Sequence, residues 1–160
     1  MSGLFTPNIK TDVDAQERVR NWIAELRTGQ YKQGFKYLRP SMGQYCCLGV
    51  ACNLYDHKGW RDWGADDCLT FLVTNPDLND EDSTYDSELE LPTPVMNSLC
   101  LRTPCGDLDD EKFGAQHVSL AGENDRGAYF SDIANIIEAE LKLALTTKEK
   151  RNGNQSIERA

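Results

Sequence analysis

The stretch "GQYCCLGVACNLYD", residues 43–56, decides how this chain is read. Between Tyr45 and Tyr55 the apolar positions Cys47, Val50, Ala51 and Leu54 make one helical face, and Leu48, Cys52 and Tyr55 make a second beside it. A helix that is apolar nearly all round is a buried one, so the spacing predicts a central core helix over 45–55. Gly49 agrees, because a glycine in a buried helix lets another element approach closely.

The cysteines in that run raise two chemical alternatives. On a helix turning about 100° per residue, Cys47 and Cys52 are about 500° apart, a net separation of about 140°, and cannot grip one ion together. Cys100 and Cys105 repeat the same gap across Pro104, which superficially suggests a four-thiolate zinc site. The rotation argues against it, so no metal and no cofactor are expected, and the thiols read as core residues. The second alternative is a cysteine hydrolase. Cys46 or Cys47 stands near a helix start, where the dipole lowers a thiol pKa. His117, in "QHVSL", would be its base, and Asn124 or Asp125 would orient that base. A histidine on an ordinary strand explains His117 with fewer assumptions, so binding is expected rather than catalysis.

The flanking segments predict the rest of the fold. Asp14 followed by Glu17 forms a capping box, and Val19, Trp22, Ile23 and Leu26 then repeat at helical spacing, predicting a first helix over 15–28. "YKQGFKYLRP" reads as a loop or short extended segment, broken by Gly34 and Pro40. "CLTFLV" reads as a buried strand or short helix and "TYDSELEL" as an alternating strand, separated by the acidic turn "NPDLNDEDS". Pro92 and Pro94 open a short helix over 94–100 with Val95, Met96 and Leu99 inward. Residues 106–130 read as loops around the strand "QHVSL", with "ENDRGAYFSD" a turn that uses Gly127. Ser131 caps a last helix with Ile133, Ile136, Ile137, Leu141 and Ala144 on its apolar stripe and Glu138 and Lys142 paired on its flank. The expectation is a single compact α+β domain over 1–147, mainly helical, with a buried central helix and a small β element. A polar tail, 148–160, is expected to be disordered.

At 160 residues the chain can bury an ordinary core without staples. No stretch approaches the roughly 18 apolar residues of a membrane span, and the N-terminus lacks the order of a signal peptide. A cytoplasmic protein with reduced thiols and no membrane partner is expected.

Charge is laid out unevenly. Residues 1–61 carry nine Lys/Arg against five Asp/Glu, and residues 62–111 carry fourteen acids against the single base Arg102. Such a middle repels nucleic acid and attracts a basic protein surface. Asp77, Asp80, Glu81, Asp82 and Asp86 are the candidate partner-binding residues. The basic segment offers a different site. Lys32, Gln33, Lys36 and Arg39, interleaved with Tyr31, Phe35 and Tyr37, are candidates for holding a small anionic aromatic ligand such as a nucleotide. No glycine-rich phosphate loop accompanies them.

Four segments, "NWIAELRTGQYKQGFKYLR", "YCCLGVACNLY", "LPTPVMNSL" and "LAGENDRGAYFSDIANIIE", resemble in that order a group of small uncharacterised proteins found mostly in tailed bacteriophages and their hosts. The shared pattern is a Cys-Cys-Leu-Gly-Val helix, a Leu-Pro-x-x-Val helix, and an Asn-Asp-x-Gly turn leading into an Ile-Ala-x-x-Ile-Glu helix. The resemblance implies a phage accessory protein acting in the host cell and brings no activity with it. The acidic stretch around 75–90 and His117 fall outside the shared motifs. The function expected is modulation of a host factor, in counter-defence or takeover, through the acidic surface. The alternative is nucleotide sequestration, and the third reading is the hydrolase.

Overall fold

The computed structural model describes residues 3–62, 68–74, 84–108 and 118–146. The chain enters through a 3-10 turn at Pro7–Lys10 and runs into helix α1, Val13–Arg27. The two-residue strands β1, Lys32–Gln33, and β2, Gln44–Tyr45, pair in parallel just before helix α2, Cys47–Tyr55. Strands β3, Trp60–Arg61, β4, Thr70–Thr74, and β5, Thr84–Ser87, form an antiparallel sheet in that order. Helices α3, Thr93–Ser98, α4, Leu120–Asp125, and α5, Phe130–Thr146, complete a mainly helical α+β fold.

Helix α2 is the element on which the others close. Cys47, Leu48, Gly49, Val50, Ala51 and Cys52 are all buried, and α1, α3 and α4 each pack on it. Its last turn escapes: Leu54 and Tyr55 are exposed, so burial all round holds for its first six residues only. The close approach expected at Gly49 is real. A methyl group there would overlap the carbonyl of Leu38, whose oxygen accepts the Cys46 N–H at 2.9 Å. The most extensive helix pair is α1 against α5, with Val19, Trp22, Ile23 and Leu26 facing Ile133, Ala134, Ile137 and Leu141 in one core.

Several expected boundaries shift for local reasons. Asp12, not Asp14, caps α1, its Oδ1 accepting the Ala15 N–H at 2.9 Å. The Asp12 N–H is itself held by the Asn8 carbonyl, so the 3-10 turn delivers the chain to the helix early and seats Ala15 in the core. "CLTFLV" is a strand, and it pairs with "TYDS" in the register Val73↔Tyr85 and Leu72↔Asp86. Residues 120–125, expected as loop, form α4, where the Ser119 hydroxyl accepts the Gly122 N–H at 3.0 Å. Of "QHVSL", Gln116 and His117 lie outside the described residues, while Ser119 bridges to Asp107. Ser131 is not the cap of α5, since the helix begins at Phe130 and the Asp132 carboxylate accepts the Tyr129 N–H at 3.2 Å. On the flank of α5, Glu138 pairs across to Arg27 on α1 at 2.8 Å. The tail 148–160 lies outside the described residues.

Candidate functional site

The start of α2 is the point where distant segments meet. The first N–H groups of a helix have no intrahelical acceptor, and here they are buried. Cys46, as the N-cap, offers its sulfur to the Gly49 N–H at 3.3 Å. The Cys47 N–H goes to Asn124 Oδ1 at 3.1 Å, from a side chain on α4 that is wholly buried. That same oxygen accepts from Gln33 Nε2 at 3.0 Å, and Asn124 Nδ2 donates to the Gly34 carbonyl at 2.9 Å. One carboxamide thus ties β1, α2 and α4 together.

The neighbouring residue continues the arrangement on the surface. Asp125 Oδ1 accepts the Lys36 N–H at 2.7 Å. Lys36 has φ +73°, in the left-handed region that non-glycine residues avoid, and the Tyr37 N–H closes on the Phe35 carbonyl at 2.9 Å across it. The Gln33 amide also donates to the Ala128 carbonyl at 2.7 Å. A strained turn is therefore clamped from below at Gln33, Gly34 and Lys36.

The hydrolase candidates meet there without forming a nucleophile. Asn124 contacts Cys47 through the backbone, and Asp125 serves Lys36. The Cys47 thiol is fully buried and donates to the Leu120 carbonyl at 3.5 Å. Burial pushes the Cys47 and Cys52 thiols well up, and Cys46 up to about 12, outweighing the lowering influence of the helix start. His117, the proposed base, lies outside the described residues. Among the described residues no group of three or more His, Cys, Asp or Glu could hold a metal ion.

The four ligand candidates of the basic segment do not converge. Lys32 and Lys36 are exposed, while Gln33 spends its amide inside the clamp. Arg39 turns the other way. Its guanidinium lies 4.6 Å from the Tyr45 ring centroid and 5.3 Å from that of Trp60, and donates to the Met42 carbonyl at 2.7 Å. It belongs to an aromatic ladder of edge contacts, Tyr31 to Tyr45 to Trp60 to Phe71.

Of the acidic candidates, Asp77, Asp80, Glu81 and Asp82 lie outside the described residues, and Asp86 stands opposite Leu72 in the β4–β5 ladder. Thr74 and Thr84 are partners in that antiparallel β4–β5 hairpin. At its foot a cavity of about 500 Å³ opens, lined by Thr70, Ser87, Glu88, Leu89 and Glu90. The Thr70 hydroxyl donates to Glu88 Oε1 at 3.0 Å and fixes that carboxylate. Glu88 and Glu90 were not singled out from the sequence, although the alternation of "SELEL" puts both on one side.

No helix among the described residues is long and apolar enough to cross a membrane. No curated protein and no solved structure matches the chain. A family model does match, over residues 15–141, from within α1 to within α5 and across the whole Asn124 junction. The chain belongs to that family, described as a domain of unknown function (DUF8296).

Proposed function

We propose that the protein is a non-enzymatic binding protein, a phage accessory factor that engages the basic surface of a host protein in the host cytoplasm through its acidic face and so modulates that protein. The observation that carries this reading is the cavity of about 500 Å³ at the foot of the acidic hairpin, with Glu88 and Glu90 in its wall. A cavity of that size receives a lysine or arginine side chain, and a carboxylate already oriented by Thr70 loses little freedom on pairing with it. The sequence excess of fourteen acids against one base between residues 62 and 111 favours a basic partner over an acidic one. Buried, protonated thiols at α2 support a binding role over a nucleophilic one.

The test is affinity capture from host extract at low and high salt, beside a Glu88→Lys/Glu90→Lys double variant. Exposed charges are screened at high ionic strength, so the partner should be retained at low salt, released at high salt, and missed by the variant. Retention indifferent to both salt and the variant would overturn the reading.

A further inference from the structure

Helices α1 and α5 leave a trough along their seam. Arg20, Ala24 and Arg27 form one exposed stripe of α1, at i, i+4 and i+7, and Glu138, Lys142 and Leu145 repeat the same spacing on α5. The two stripes wall one cavity of about 350 Å³, and the core residues Ile23 and Leu141 line it as well. Seven residues of helix rise about 10 Å, which sets the length of the trough. Arg27 closes one end by reaching across the seam to Glu138 Oε2 at 2.8 Å and to Asn135 Oδ1 at 2.7 Å. Arg20 and Leu145 stand at the other end. The charge of the trough runs against that of the chain: three cations and one anion line it, in a protein of net charge −9. That anion, Glu138, is already engaged by Arg27, whereas the side chains of Arg20 and Lys142 make no salt bridge or hydrogen bond among the described residues.

From this cavity we infer that the α1–α5 trough binds a free single-chain carboxylate of medium length, a fatty-acid-like anion. The carboxylate is held by the Arg20 guanidinium and the Lys142 ammonium, and the alkyl chain lies over Ile23, Ala24 and Leu141 toward the Arg27 bridge. Apolar floor and cationic rim together select an amphipathic anion, since the floor alone takes any alkyl group and the cations alone take any anion. A partner helix fits less well, because it is about 10–12 Å across and needs a groove that continues past its anchors, and here the Arg27 bridge crosses the path. The chain's own segment after Thr146 has the wrong charge, with four cations against two anions. The inference stands independently of the acidic-face reading.

The experiment is calorimetric titration of the full chain with octanoate below its micelle-forming concentration, with acetate and octylammonium as parallel probes. Saturable octanoate binding is expected, with weaker binding of acetate, which lacks the chain, and of octylammonium, which has the wrong charge. Arg20→Ala and Lys142→Ala should each weaken octanoate by about tenfold, the usual loss of one hydrogen bond to a charged group. Ala24→Phe should block it by filling the trough. All three positions are exposed, so melting temperatures should stay close to that of the unsubstituted protein. The Glu88→Lys/Glu90→Lys variant should bind octanoate unchanged, which keeps a failure here distinct from a failure of the acidic face. Absence of saturable octanoate binding, or binding untouched in an Arg20→Glu/Lys142→Glu double variant, would overturn the inference. Acetate or octylammonium bound as tightly as octanoate would overturn the assignment to an amphipathic anion.

Discussion

The Asn124 side chain accepts the backbone N–H of Cys47 at 3.1 Å across 77 residues of sequence, and both groups are shut off from solvent. Removing this carboxamide strands the Cys47 N–H and the Gly34 carbonyl where water cannot replace it. A buried group left unsatisfied costs about 1–3 kcal/mol, so Asn124→Ala should lose about 2–4 kcal/mol in chemical denaturation. Asn124→Asp should fare no better, since a carboxylate keeps the acceptor but faces the Gly34 carbonyl with no donor. A loss under about 1 kcal/mol would mean that the junction is not a structural tie.

Gly49→Ala should be destabilising even though alanine is the better helix former by about 1 kcal/mol. The added methyl meets backbone, the carbonyl of Leu38, which cannot swing aside because its oxygen is bonded to the Cys46 N–H and its own N–H to the Glu88 carbonyl at 2.7 Å. Overpacking against a fixed group costs about 1–3 kcal/mol or more, so the denaturation midpoint should fall. A raised midpoint would show that helix propensity wins and that the contact yields.

These two residues mark what the sequence could and could not disclose. Gly49 was legible because a glycine inside an apolar helix has few explanations, and the surrounding period of 3.6 announced the core helix. The "TYDSELEL" strand was legible too, since alternation is a local signal, but "CLTFLV" stayed open between strand and helix, and the pairing of the two is known only from the register Val73↔Tyr85. Asn124 was visible only as a turn residue or as a group to orient His117, because its actual partners are fixed by tertiary packing. Helix α4 was missed for a related reason. Six residues that include Gly122 carry no helical periodicity, and only the Ser119 cap and burial of Leu120 and Asn124 hold them in place. Asp12 and Asp14 are equally able to cap, and the preceding 3-10 turn chose between them.

The thiols of Cys46, Cys47 and Cys52 should resist alkylation in the folded protein at neutral pH, with the partly exposed Cys105 reacting before them. Burial keeps them protonated, which also sets a pH dependence. Their pKa values are raised in the folded state, so the stability they contribute is present below the ordinary thiol value of about 8.5. Above that pH the unfolded chain sheds protons that the folded chain keeps, and stability falls toward about 12, where Cys46 itself ionises. Each thiol contributes a slope of up to about 1.4 kcal/mol per pH unit in that window. Denaturation midpoints of wild type and Cys52→Ala, compared from neutral to alkaline pH, should diverge in slope by one thiol's share. Parallel profiles, or fast labelling of Cys46 or Cys47 in the native state, would refute the buried assignment.

Arg39, a ligand candidate in the sequence, is a structural cation in the fold. Its guanidinium is flanked by Tyr45 and Trp60, and its Nε is buried with no hydrogen-bond partner among the described residues. A planar guanidinium stacks on rings in a way an ammonium cannot, so Arg39→Lys is not conservative here. Loss of the two ring contacts should lower stability by about 1–2 kcal/mol and alter the near-ultraviolet circular dichroism of the ladder that runs through Tyr31, Tyr45, Trp60 and Phe71. An Arg39→Lys protein of unchanged stability with an unchanged aromatic spectrum would refute this structural role.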